Sequence, residues 1–180
     1  MDKILIVKIG GKLINNSHVL HRFLKSFAKI KTKKILIHGG GNQVTEMCKK
    51  LNLDVKIRNG RRITSIQDLE VATMIYAGSL NKTLVTKLQS FNCNSIGLSG
   101  ADANLIESVK RPVKEIDYGL VGDIKKINSI FLKKLIDQNL TPVICSITHD
   151  KKGQLLNTNA DTISSEIAIS LSKYYTVDLI

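Results

Sequence analysis

Ile35-Leu36-Ile37-His38-Gly39-Gly40-Gly41-Asn42 is an apolar run emptying into three consecutive glycines. Residues 34–38 fit a short strand covered on both faces, and Asn42 to Leu51 carry a helical pattern directly after it. Glycines let backbone N–H groups approach an anion closely, and the following helix aims its positive N-terminus at the same place. Upstream, Ile4-Leu5-Ile6-Val7-Lys8-Ile9-Gly10-Gly11-Lys12 repeats the arrangement, with a strand over residues 3–9 closing on Gly10 and Gly11. Between the two strands, Val19, Leu20, Phe23, Leu24 and Phe27 recur at helical spacing, predicting a helix from a Ser17 cap to about Ile30. Strand, helix, strand, helix predicts an α/β fold built on a parallel sheet.

The pattern changes after Leu51. Asn59-Gly60 sits between Val55-Lys56-Ile57-Arg58 and Arg62-Ile63-Thr64, a hairpin signature. Ile66 to Phe91 is a long helical pattern loosened near Gly78, and Ser95 to Leu98 a strand ending at Ser99-Gly100-Ala101-Asp102. Residues 105–125 predict two short strands around Asp117-Tyr118-Gly119, placed over a site or at a sheet edge. A helix over Ile127 to Gln138, a strand over Thr141 to Ile147, a helix over Thr162 to Ser172 and a strand over Thr176 to Ile180 complete the reading. Pro142 limits pairing at the start of its strand.

At 180 residues and 43% hydrophobic, the chain reads as one domain with one substantial core. No apolar run spans a bilayer, and Met1-Asp2-Lys3 leads straight into a strand, so the expected setting is the cytoplasm with no membrane partner. Cys48, Cys93 and Cys145 are scattered without a CxxC pair and read as buried thiols, with no metal site expected. The net charge of +12 raises nucleic acid as a partner. Its lysines are dispersed and the few aromatics do not cluster with them, which argues against that partner and for anionic small substrates.

Four places carry candidate chemistry. Lys8, at the end of a buried-looking strand beside Gly10 and Gly11, either meets phosphate oxygens or snorkels to solvent. The glycine trio matches neither G-x-x-x-x-G-K-[ST] nor G-x-G-x-x-G, so alone it is either an anion cradle or a tight turn. His38 reads as a structural hydrogen-bonding residue rather than a general base. Among Arg58, Arg61 and Arg62, the first two read as solvated hairpin charge and Arg62 as the carboxylate fork. Asn157, Asn159 and Asp161 alternate before a helix, where Asp161 either caps that helix or orients a catalytic lysine.

Taken in order, Lys8-Ile9-Gly10-Gly11, His38-Gly39-Gly40-Gly41, Asn59-Gly60-Arg61-Arg62-Ile63-Thr64, Gly97-Leu98-Ser99-Gly100-Ala101-Asp102 and Asn157-Thr158-Asn159-Ala160-Asp161 resemble the amino-acid kinase family along essentially all 180 residues. The resemblance implies a three-layer αβα sandwich with a mainly parallel central sheet. It implies that Lys8 stabilises the transferring phosphoryl group with Gly10 and Gly11, and that Asp161 orients the lysines. Gly40 and Gly41 would bind substrate through their backbone, and Arg62 and Asn157 would hold its carboxylate end. The implied reaction moves the γ-phosphoryl of ATP, with Mg²⁺, onto the side-chain carboxylate of N-acetyl-L-glutamate, in a homodimer. A related acylated amino acid, or a non-catalytic acyl-amino-acid-binding module, are the alternative readings. The family pattern also continues into a nucleotide-binding half with a second catalytic lysine, so residues 1–180 are expected to hold the N-terminal, substrate-binding part.

Overall fold

The computed structural model describes residues 1–58 and 60–180. In chain order the elements are β1 (Lys3–Ile9), α1 (Gly11–Ile14), α2 (Ser17–Lys29), β2 (Lys33–His38), α3 (Gly41–Lys50), β3 (Ile57–Arg58), β4 (Arg61–Arg62) and α4 (Ile66–Thr73). A π-helical segment (Met74–Leu80) leads into α5 (Asn81–Ser90). Then come β5 (Ser95–Leu98), β6 (Ile106–Lys110), β7 (Gly122–Ile127), α6 (Ser129–Asp137), β8 (Thr141–Cys145), β9 (Ile147–His149), β10 (Leu155–Asn157), α7 (Ala160–Leu171) and β11 (Thr176–Leu179).

The main sheet has the order β11-β1-β2-β8-β5 and every pairing in it is parallel. The period-2 alternation of its strands sorts side chains between two cores. Ile4, Ile6, Ile35, Ile37 and Ile144 face α6 and α7, where they meet Leu132, Ile136, Ile163, Ile167 and Leu171. Val7, Ile9, Leu36 and Val143 face α1, α2 and α5, against Ile14, Leu24, Phe27, Leu84 and Leu88. This is the expected three-layer arrangement, with helices on both faces of a parallel sheet.

Several boundaries differ from the sequence reading. The α2 cap is Asn16, not Ser17: Asn16 is extended (φ −103°, ψ 99°) and its side chain accepts from the Val19 N–H, while Ser17 is already helical. A single helical turn, α1, follows Gly10 and has no counterpart in that reading. Its four residues are too few to show a period. Ile127 ends β7, and α6 begins after it behind an Asn128 cap that accepts from the Phe131 N–H. The expected loosening near Gly78 is the π-helical segment, which joins α4 to α5 without a break.

The strand expected over residues 141–147 divides at Ser146. Residues 141–145 pair within the main sheet, with Pro142 opposite Ile96 and the β2 pairing starting only at Val143. Ile147–His149 instead joins a second sheet of order β10-β9-β6-β7. That crossing returns Asn157 and Thr158 to the carboxyl end of the main sheet, where Thr158 N–H donates to the Ser146 carbonyl at 3.0 Å. Among the described residues, no helix is long and apolar enough to cross a membrane.

Candidate active site

In an open parallel sheet the chain reverses direction at the carboxyl ends of the strands, which is where ligands seat. Here register aligns Lys8 with Ile37, Ile9 with His38, and His38 with Cys145, so the turns after β1, β2 and β8 open at one level. They border a cavity of about 340 Å³. Lys8, Gly10, Gly11, Gly40, Gly41, Arg62, Asn157 and Asp161 all line it, although they are spread over 154 positions of sequence (8 to 161).

Lys8 projects from the α7 face of β1, and its Nζ lies 2.6 Å from Asp161 Oδ1. Asp161 does not cap α7. Asn159 does, accepting from the Thr162 N–H at 3.0 Å, which leaves the Asp161 carboxylate in the first turn turned toward Lys8.

The glycine loop is held from below by a buried relay. The Asn81 amide donates to the Val143 carbonyl at 2.9 Å and to His38 Nε2 at 3.0 Å. With Nε2 accepting, Nδ1 carries the proton and donates to the Gly39 carbonyl at 2.9 Å. Burial lowers the His38 pKa to about 4, despite the Gly39 contact that favours its charged form. The ring is therefore neutral and spent on structure, in keeping with the sequence reading. Gly40 follows with φ +150° and caps α3, and a methyl on it would stand 2.9 Å from Leu80 Cδ2 and 3.1 Å from Tyr76 Cε1. Only glycine fits there.

Arg58 and Arg61 are exposed, as expected of hairpin charge, though Arg61 also borders the cavity. The Asn59 half of the hairpin signature lies outside the described residues. Arg62 is different. Its guanidinium donates to Asp68 Oδ1 at 3.3 Å, Thr45 Oγ1 at 2.5 Å and the Gly41 carbonyl at 3.3 Å, with the Arg62 and Asp68 side chains only 7% and 6% exposed. Asp68 is itself locked by a capping box with Ser65, which donates from its N–H and its hydroxyl to Asp68 Oδ2.

A strap joins Arg62 to Asn157. Thr64 N–H donates to the Tyr118 carbonyl, Leu120 N–H to the Thr64 carbonyl, and Asn157 N–H to the Leu120 carbonyl, at 2.8–3.0 Å. The Asn157 amide closes the set on Thr64 Oγ1 at 3.1 Å. Gly119 makes the strap possible, since a methyl there would lie 2.3 Å from the Thr64 carbonyl oxygen.

Thr45, Asp68, Tyr76 and Arg111 went unread in the sequence. Ser65-Ile66-Gln67-Asp68 has the spacing of a capping box and offered a signal for Asp68. Thr45 and Tyr76 sit within helical patterns that show no sign of what they touch. Arg111 also borders the cavity, its guanidinium engaged by Asp123 at 2.6 Å.

The fold, with helices on both faces of a parallel sheet, is shared with known proteins. The chain belongs to the amino acid kinase family, whose sequence profile matches residues 3–175. Acetylglutamate kinase of Cytophaga hutchinsonii is 50% identical over 181 residues, covering 100% of this chain and 69% of that protein. Acetylglutamate kinase of Parabacteroides distasonis is 47% identical, covering 99% of this chain and 70% of that protein. Among solved structures, a Streptococcus mutans protein superposes with a TM-score of 0.82 at 25% identity, over 94% of this chain and 69% of that one. N-acetylglutamate synthase from Neisseria gonorrhoeae shares the fold, with a TM-score of 0.79 at 18% identity over 93% of this chain and 39% of that one.

Proposed function

We propose that this chain supplies the acyl-amino-acid side of an acetylglutamate kinase, which transfers the γ-phosphoryl of ATP to the side-chain carboxylate of N-acetyl-L-glutamate. The observation that carries the reading is the pairing, in one cavity, of the Lys8–Asp161 pair with the Asp68-locked Arg62, on either side of the glycine turns. An ionised carboxylate acceptor has no proton to lose, so the reaction needs alignment and charge stabilisation rather than a base. The buried, neutral and doubly hydrogen-bonded His38 suits such a reaction.

In this reading Arg62 and Asn157 hold the substrate's carboxylate end. Backbone N–H groups at Gly40 and Gly41, and at Gly10 and Gly11, face the acceptor and the phosphoryl oxygens. Lys8 meets the charge that spreads over those oxygens, and Asp161 keeps its ammonium aimed at them. Among the described residues, Asp161, already engaged by Lys8, is the one acidic residue lining the cavity, and there is no cluster of three or more His, Cys, Asp or Glu fit for a metal. The residues present therefore suit a Mg²⁺ carried by the nucleotide's own phosphates, the usual mode for this ion, rather than a protein cage. We assign residues 1–180 to the N-terminal, substrate-binding part of the kinase domain, acting as a homodimer in the cytoplasm. The chain spans 69% and 70% of the length of the two curated relatives named above.

Calorimetric titration of N-acetyl-L-glutamate into the folded chain tests the reading. Saturable binding is expected, weakened by Arg62→Lys, which keeps a cation beside Asp68 but loses the planar fork. No binding to a chain shown to be folded would overturn it.

A further inference from the structure

We infer that Tyr76 is a ligand-binding residue of this cavity, its hydroxyl donating a hydrogen bond to the ligand carboxylate held at Arg62. This deepens the proposed function and rests on it.

Tyr76 rides on the π-helical segment Met74–Leu80, a geometry that recurs at functional sites. Its ring is buried at 5% exposure and packs against Gly40. The hydroxyl reaches past Gly40, to 3.9 Å from where a Gly41 methyl would stand. Buried tyrosines ordinarily place their O–H on a partner. Among the described residues, the Tyr76 hydroxyl has none. Nor is it sealed off, since the buried side-chain atoms lacking a partner there are Ser108 Oγ and His149 Nε2. With its ring enclosed and its oxygen accessible, Tyr76 presents that oxygen to the cavity it lines.

The surroundings identify what it meets. Arg62 is near enough for its charge to act on the phenol, and its guanidinium also touches the Gly41 carbonyl. The phenol, the guanidinium and the start of α3 thus converge on one spot. Both Nη2 N–H groups are committed, to Thr45 and to the Gly41 carbonyl, and each two-pronged edge of a guanidinium uses that nitrogen, so a second donor is needed to satisfy both oxygens of a bound carboxylate. Burial pushes the Tyr76 pKa up to about 12, which keeps the phenol protonated and donating near neutrality. A ring that only filled space beside Gly40 would do so equally well as phenylalanine.

The test is Tyr76→Phe in the full chain, titrated by calorimetry with N-acetyl-L-glutamate and with 4-acetamidobutanoate, the same molecule without its α-carboxylate. Roughly tenfold weaker binding of N-acetyl-L-glutamate is expected, from loss of one hydrogen bond to a charged group. Thermal midpoints of the two proteins should coincide, and the substitution should change 4-acetamidobutanoate affinity less than about twofold, because a cycle between non-interacting groups shows no coupling. Equal N-acetyl-L-glutamate affinities in parent and variant would overturn the inference. An equal loss for both ligands would overturn the assignment to that carboxylate. If the folded parent itself bound neither ligand, the acyl-glutamate reading would fall, and this inference with it. The parent titration alone distinguishes that case.

Discussion

Asp161 Oδ1 stands 2.6 Å from Lys8 Nζ because Asn159, two residues earlier, takes over the capping of α7. The pair joins the carboxyl end of a buried strand to the first turn of the helix packed on that same face of the sheet, and both side chains retain access to the cavity.

Their exposure separates stability from function. The Lys8 and Asp161 side chains are 28% and 67% exposed, so the pair contributes about 0–1 kcal/mol to folding, as solvent-screened pairs do. Asp161→Asn is expected to leave the unfolding midpoint nearly unchanged. In the proposed reaction, Lys8→Met should lower acyl phosphate formation, trapped as the hydroxamate, by roughly a hundredfold or more, as loss of a group stabilising developing charge does. A Lys8→Met enzyme with near-parent rates would remove Lys8 from the chemistry.

Gly40 and Gly41 are neighbours with opposite expectations. Gly40→Ala forces a methyl to 2.9 Å from Leu80 at φ +150°, and should destabilise the chain by about 2 kcal/mol or more. Gly41→Ala meets nothing closer than the Tyr76 hydroxyl at 3.9 Å, so it should fold normally and lose ligand affinity. Paired denaturant melts and titrations read both outcomes.

His38 makes stability pH-dependent. Its folded pKa of about 4 lies below the ordinary 6.5, so the unfolded chain binds the extra proton first as pH falls. The stabilisation is fully present above pH 6.5 and is lost between about 6.5 and 4, on the order of 3 kcal/mol by linkage. His38→Gln should remove that part of the slope in denaturant midpoints measured across this window. An unchanged slope would show that other groups carry it.

Arg62→Ala should cost about 3 kcal/mol of stability as well as ligand affinity, because it strands the buried Asp68 carboxylate. The double variant Arg62→Ala/Asp68→Asn should recover part of the stability and none of the affinity. Chemical denaturation and calorimetry together separate the two roles.

The fold was readable where a local period and a buried layer agree. β1 and β2 are continuous apolar runs because both their faces are covered, and α2 shows its stripe because only one of its faces is. Reading failed where several residues compete for one local job. Asn16 and Ser17 both suit an N-cap, as do Asn159 and Asp161, and the entry angle of the chain decides between them. It failed again at Ser146, since an apolar run does not record which of two sheets its second half will join.

By itself the sequence determined the alternation of strands and helices, the glycine turns after β1 and β2, and the ordered motifs that mark the amino acid kinase family. These depend on contacts within a few residues or on backbone freedom written into residue type. Only the tertiary structure decided that Arg62 is clamped by Asp68 and Thr45, that the Gly119 strap ties it to Asn157, and that Tyr76 lines the cavity. Each of those is a contact between distant segments, set by how the layers and the second sheet close on one another rather than by any local preference.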